Sequence, residues 1–150
     1  YIAYFINTPS CCNKIKEIIM RKFKQNKLWR DYQIDLVKKS CGSIIHYRVL
    51  DDQEFNLKIK EKLLEEAHEV CDAKNRSELL EELADLYQVI DSIAQLHGIS
   101  KEEILAAQVK KLEHRGGFMK RIFVDSAEHP TGTKGEAYCD ACPEKYPEIL

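Results

Sequence analysis

Four acids in this 150-residue chain have the types and spacing to do chemistry: Glu66, Glu69, Glu82 and Asp85. Within each pair the spacing is i, i+3, which projects both carboxylates from one face of a helix. The two stretches that carry them are separated by the polar break Lys74-Asn75-Arg76. Glu69 with Glu82, and Glu66 with Asp85, are both centred on position 75.5, inside that break. In an antiparallel hairpin each acid therefore lies level with a partner on the other helix. Four like charges held together repel unless they are protonated or neutralised. Hard divalent cations with oxygen ligands are the natural neutraliser, and Mg²⁺ is the one that keeps positions for waters and phosphates. A carboxylate-held Mg²⁺ can clamp a phosphate chain and activate water.

The competing explanation is a solvated helix face, since Glu is a good helix former and charge-rich faces usually just meet water. Glu61, Glu65, Glu78 and Glu81 are read mostly that way. The level pairing and the apolar surface beside it favour a metal site for the other four.

Positioning such a cluster requires two uninterrupted helices, and the sequence supplies them. No Gly or Pro lies between Ser43 and His97. Asp51-Asp52 offers an N-cap and first-turn negative charge. A helix follows to about Ala73, with Phe55, Ile59, Leu63, Ala67 and Val70 along one stripe. A second runs from about Ser77 to His97, with Gly98 as its C′ residue. Its apolar residues cover more than one face, as expected of a central helix or one at an oligomer interface. Ser100-Lys-Glu-Glu103 has capping-box spacing and starts a third helix, which ends near Arg115 before Gly116-Gly117. Upstream, residues 13–39 carry roughly helical apolar spacing with a polar break at Lys24–Lys27. Residues 44–49 read as a short strand, with 121–124 as a candidate partner for it. The expected architecture is mainly α, an antiparallel helical bundle with that two-stranded element. Residues 1–125 are expected to form one helical domain, and 126–150 an irregular tail.

Composition narrows the function classes. Between Asp51 and Asp91 there are 13 acidic and 5 basic residues, against 12 and 18 in the remainder, so the net charge of -2 averages two unlike parts. A pI near 6.2 argues against a general nucleic-acid binder. No apolar run approaches the roughly 20 residues that span a bilayer. The apolar start Tyr1–Ile6 lacks a basic n-region and a small-residue cleavage site, so it is not read as a signal peptide. The six cysteines are irregularly spaced and are read as reduced thiols of a cytoplasmic protein. Cys139-x-x-Cys142 is one pair where a structural zinc site wants two, and is read as two loop cysteines.

These residues resemble the MazG-like all-α nucleoside triphosphate pyrophosphohydrolases. Lys62-Leu-Leu-Glu-Glu-Ala-His-Glu69 followed by Glu81-Glu-Leu-Ala-Asp85 is similar to the family's E-x-x-E … E-x-x-D metal motif. Leu96-His-Gly-Ile-Ser100 and Lys111-Leu-Glu-His-Arg-Gly-Gly-Phe118 resemble the segments that follow it in the branch akin to phosphoribosyl-ATP pyrophosphohydrolase. The resemblance covers roughly residues 47–124. Lys27-Leu-Trp-Arg-Asp31 is a looser match to a K-L-V-R-D segment, with Trp29 in place of a smaller residue and no Pro soon after.

The resemblance implies Mg²⁺-dependent hydrolysis between the α and β phosphates of a nucleoside triphosphate, giving a nucleoside monophosphate and pyrophosphate. It implies Glu66, Glu69, Glu82 and Asp85 as metal ligands, with Glu66 or Glu65 also positioning the attacking water. It further implies a homo-oligomer, a dimer or tetramer built through the helical bundle. House-cleaning of aberrant nucleotides is one role; hydrolysis of phosphoribosyl-ATP is another, and a non-catalytic nucleotide-sensing or oligomerisation module is a third. Lys111 and Arg115, at i, i+4 on the third helix, are the candidate phosphate contacts, because Arg holds phosphate oxygens bidentately. Trp29 and Tyr87 could stack on a base, although core packing is the expected role of each.

Overall fold

The computed structural model describes residues 3–4 and 18–149. A two-residue antiparallel pairing joins β1 (Ala3–Tyr4) to β2 (Ile18–Ile19), with Ala3 opposite Ile19. Five helices follow: α1 (Gln33–Cys41), α2 (Asp52–Asp72), α3 (Arg76–Leu96), α4 (Lys101–Arg115) and α5 (Lys134–Asp140). The chain is mainly helical, as its patterning predicts. It divides into two compact units, Tyr1–Ile104 and Leu105–Leu150.

The first unit is organised by the α2–α3 hairpin, two 21-residue helices that fold back on each other across Ala73–Asn75. Their ends are fixed by the residues the sequence marks for that purpose. Asp51 caps α2, its Oδ1 accepting from the Glu54 amide at 2.8 Å. Asn75 caps α3, its Oδ1 accepting from the Ser77 and Glu78 amides at 3.0 Å. Gly98, at φ +64°, takes the left-handed conformation that ends α3 without a Cβ penalty. Ser100 and Glu103 then exchange the two hydrogen bonds of a capping box at the start of α4. The far end of the hairpin is tied by Asn56 and His97, whose side chains meet at 3.1 Å.

The buried apolar core is small. Ile59 on α2 and Val89 and Ala94 on α3 are its members among the described residues, and Glu66 is the buried polar one. On α3, Leu79, Leu80, Leu83, Tyr87 and Ile90 remain exposed, Tyr87 by 67%. Tyr87 therefore does not take the core position expected of it. Trp29 is partly buried.

Two expectations outside the hairpin are corrected. Of the stretch 13–39, only the part from Gln33 onward is α-helical among the described residues; residues 13–17 lie outside them. Residues 20–32 have no regular structure apart from a bend and turn, and Asn26 sits at φ +50° within the polar break. A left-handed residue there interrupts any helix or strand. Residues 44–49 and 121–124 likewise form no strand. Arg121 at φ +58° breaks the extended run at its first residue. Strand propensity is fit to a pleated, half-buried surface, and Val49 is 89% exposed, with no such surface to fit.

In the second unit no described residue is buried. The stretch after Ser126, expected to be irregular, carries α5, which includes Cys139. The His129 ring packs against Gly135 so closely that a Cβ there would fall 2.3 Å from Nδ1. The Tyr138 and Tyr146 hydroxyls meet at 3.2 Å. No helix among the described residues is long and apolar enough to cross a membrane.

Candidate metal centre

The hairpin brings the four acids read from the sequence to one place, and adds a fifth. Carboxylate oxygens of Glu66, Glu82 and Asp85 lie within 4.8 Å of one another across the two helices. Those of Glu65, Glu66 and Glu69 do the same along α2. Glu66 belongs to both groups and stands at the centre. Glu65, assigned from the sequence to solvated surface, is part of the cluster: on a helix adjacent residues diverge by 100°, but a side chain as long as Glu can lean back toward its neighbour's face.

Glu66 is only 2% exposed. Its Oε1 pairs with the Lys62 ammonium one turn back on α2. Its Oε2 is buried and has no hydrogen-bond partner. A buried acceptor left unpaired costs about 1–3 kcal/mol, more if charged, so the fold holds this oxygen in a position that favours a cationic ligand. The donors around it are all carboxylate oxygens, the set that hard divalent cations prefer. On both counts the residues present fit a divalent metal.

The neighbouring carboxyls respond to the crowding in opposite directions. Glu69 is held above the ordinary carboxyl range, first by the close approach of the Glu66 carboxylate, then by burial, then by the charges of Glu66 and Glu82; Lys62 opposes this. For Glu65 burial pushes upward, but hydrogen bonds from Lys62 and Lys27 and the charges of both outweigh it, so the carboxyl is held below the ordinary range. Burial would lower the Lys62 ammonium, yet its bonds to Glu66 and Glu65 raise it instead.

Three cations thus meet the acids. Lys62 Nζ lies 2.9 Å from Glu65, Lys27 Nζ lies 3.2 Å from Glu65, and the Arg30 guanidinium donates to Asp85 Oδ1. Sequence reasoning gives none of the three a role, although Lys27 and Arg30 lie in the Lys27-Leu-Trp-Arg-Asp31 segment and Lys62 opens the first acid motif. Lys62 is legible in principle, since it stands i, i+3 and i, i+4 from two acids. Lys27 and Arg30 are 38 and 55 residues away from their partners, and no local pattern announces such a pairing. Lys111 and Arg115 are placed on α4 one turn apart, both exposed, in the second unit.

A half-open cavity of about 1660 Å³ is walled by residues 20–31, 43–50 and the first turns of α2. Lys27 and Arg30 line it too.

A comparison with protein families matches residues 45–111 to the phosphoribosyl-ATP pyrophosphohydrolase family. The matched stretch contains α2, α3 and most of α4, with all five acids and Lys62. Searches of curated proteins and of solved structures gave no significant match. Residues 45–111 are accordingly a phosphoribosyl-ATP pyrophosphohydrolase domain, in the MazG-like all-α superfamily of enzymes that hydrolyse phosphoric anhydrides.

Proposed function

We propose that this enzyme is a Mg²⁺-dependent nucleoside triphosphate pyrophosphohydrolase that cleaves between the α and β phosphates, releasing a nucleoside monophosphate and pyrophosphate. The observation that carries the reading is the unpaired, buried Oε2 of Glu66 amid facing carboxylates. Glu66, Glu82 and Asp85 hold the metal across the hairpin, and Glu69 completes the set from α2. The bound ion supplies Lewis acidity to the phosphate chain and a more acidic water. The reaction consumes one water: a new P–O bond forms to the water oxygen, the bridging P–O bond breaks, and the water's proton passes to solvent through a carboxylate. Glu65 is the poorer choice for orienting that water, because two ammonium groups already engage it. The role falls to Glu66. Lys111 and Arg115 are further proposed phosphate contacts, resting on their shared face and charge.

A second substrate reading is phosphoribosyl-ATP itself, favoured by the description of the matched family. It uses the same bond and the same acids. The house-cleaning role is the reading when turnover is fastest with aberrant triphosphates. We also propose a homo-oligomer, dimer or tetramer, because Leu80 and Tyr87 on α3 are apolar and 58% and 67% exposed, and a cytoplasmic setting, because the described cysteines are free thiols. Light scattering across a dilution series tests that assembly.

The deciding experiment measures pyrophosphate release from a panel of ordinary and aberrant nucleoside triphosphates and phosphoribosyl-ATP, with Mg²⁺ and with EDTA. Turnover is expected with Mg²⁺ and lost in EDTA and in Glu82→Gln. Binding of a nucleotide without any turnover would favour the sensing module instead. Full turnover by Glu82→Gln would overturn the site assignment.

A further inference from the structure

The three cations at the acid cluster differ in how they are held. Lys62 is on α2 itself, and helix register fixes its place. Lys27 and Arg30 come from residues 20–32, which have no helix or strand to hold them. Both side chains are substantially exposed, Lys27 by 45% and Arg30 by 60%. Each has one side against the acids and another against the large cavity. The cavity wall carries seven Lys or Arg against three Asp or Glu, a net positive charge that suits an anionic ligand. Trp29, Tyr47 and Phe55 also line it and offer the apolar and π surface that a nucleobase takes.

Arg30 donates to Asp85 Oδ1, and Asp85 is one of the three carboxylates that lie within reach of a shared cation across the hairpin. A guanidinium and a divalent ion placed on one carboxylate repel each other and compete for its charge. Exposed ion pairs of this kind are worth little, roughly 0.2–1 kcal/mol, so a metal that gathers several carboxylates displaces one readily. A displaced guanidinium, hinged on an irregular segment and facing a cationic cavity, has the fork geometry for phosphate oxygens.

We propose that Arg30 and Lys27 are exchangeable counter-ions. They occupy the acids in the absence of metal, and pass to the phosphate chain of the nucleotide when a divalent cation enters. The cavity behind them receives the nucleoside. This assignment rests on the hydrolase reading above, and adds to it the residues that join the metal to the nucleotide.

The exchange predicts opposite signs for one substitution. Arg30→Gln should bind Mg²⁺ alone, or Mn²⁺ alone, about two- to five-fold tighter by titration calorimetry, because a competitor for Asp85 is gone. The same variant should bind inorganic tripolyphosphate in saturating Mg²⁺ about ten-fold or more weaker, and Arg30→Lys should recover part of that loss. Lys60→Gln is the control. It removes an equal charge from an exposed site on α2, six residues and about 9 Å along the helix from Glu66, and should change neither affinity at 0.15 M salt, where the screening length is about 8 Å. If Arg30→Gln binds metal no more tightly than wild type, or tripolyphosphate equally well, the exchange is wrong. If wild type releases pyrophosphate from no nucleotide, the hydrolase reading fails instead, in a readout separate from both affinities.

Discussion

The α2–α3 hairpin and the stretch 20–50 hold the two halves of the candidate site in opposite ways. The hairpin is two unbroken helices with capped ends, and it carries the acids. The stretch 20–50 has one nine-residue helix, α1, with Gly42 at its C-cap, and otherwise irregular backbone. It carries Lys27, Arg30 and much of the cavity wall. Carboxylates that repel one another must be held by something rigid, and backbone hydrogen bonds of a regular helix do that. Cations that must let go of one partner and take another gain from a softer support. The division is one of rigidity as much as of charge.

The sharpest way to break that comparison is at its rigid centre. Glu66→Gln keeps the shape and removes the charge that faces both acid groups. Turnover should fall by at least about 100-fold, the scale seen when one preorganised electrostatic contact is lost. Metal-free thermal stability should hold or rise, because repulsion is relieved and Lys62 keeps Glu65 at 2.9 Å. A large drop in Tm without metal would make Glu66 a structural ion pair with Lys62, and would move the metal reading to the remaining acids.

The rigid half was legible in the sequence for the reason it is rigid. Helix register converts i, i+3 spacing directly into geometry, and the break at 74–76 fixes which residues stand level. The soft half was not legible. Ile44–Val49 has the composition of a strand, but composition supplies no partner, and a strand without one has no ladder to join. The roughly helical apolar spacing of 13–39 is interrupted where Asn26 turns left-handed, a backbone state that periodicity does not encode. The pairing of Arg30 with Asp85 depends on where an irregular chain comes to rest, and nothing near either residue in sequence specifies that. Glu65 is half legible: its neighbours on the helix wheel suggest solvent, whereas its oxygen lies within 4.8 Å of those of Glu66 and Glu69 and a lysine from the irregular stretch reaches it.

A milder test acts on the turn that sets the level of the acids. Asn75→Ala removes the acceptor for the Ser77 and Glu78 amides, and also the Nδ2 donor that holds Glu78 at 2.7 Å. Loss of such a cap costs about 1 kcal/mol, and Tm should drop by about 2–4 °C for a chain of this size. Turnover per folded molecule should persist, since the 21-residue helices hold their own register. Collapse of turnover with little change in Tm would mean that the cap, and not the helices, aligns the acids.

The smallest expected effect lies where the two regions are joined. Arg48, in the irregular stretch, forks onto Glu54 in the first turn of α2, with contacts of 2.6 and 2.5 Å. The Glu54 carboxyl is held below its ordinary value of 4.5, first by this hydrogen bond, with burial opposing and the charges of Arg48 and Lys58 assisting. A carboxyl whose folded-state pKa is depressed adds stability that is fully present above its unfolded value. That stability is lost as the pH falls through the lowered value. Arg48→Gln should therefore melt slightly below wild type near neutral pH, and the two curves should converge in acid once Glu54 is protonated in both. Added salt should shrink the neutral-pH gap, because both groups are solvent-exposed. A gap that survives in acid would mean that Arg48 contributes through its packed stem instead of its charge, and that the cavity wall is attached to α2 more firmly than an exchanging, softly held region requires.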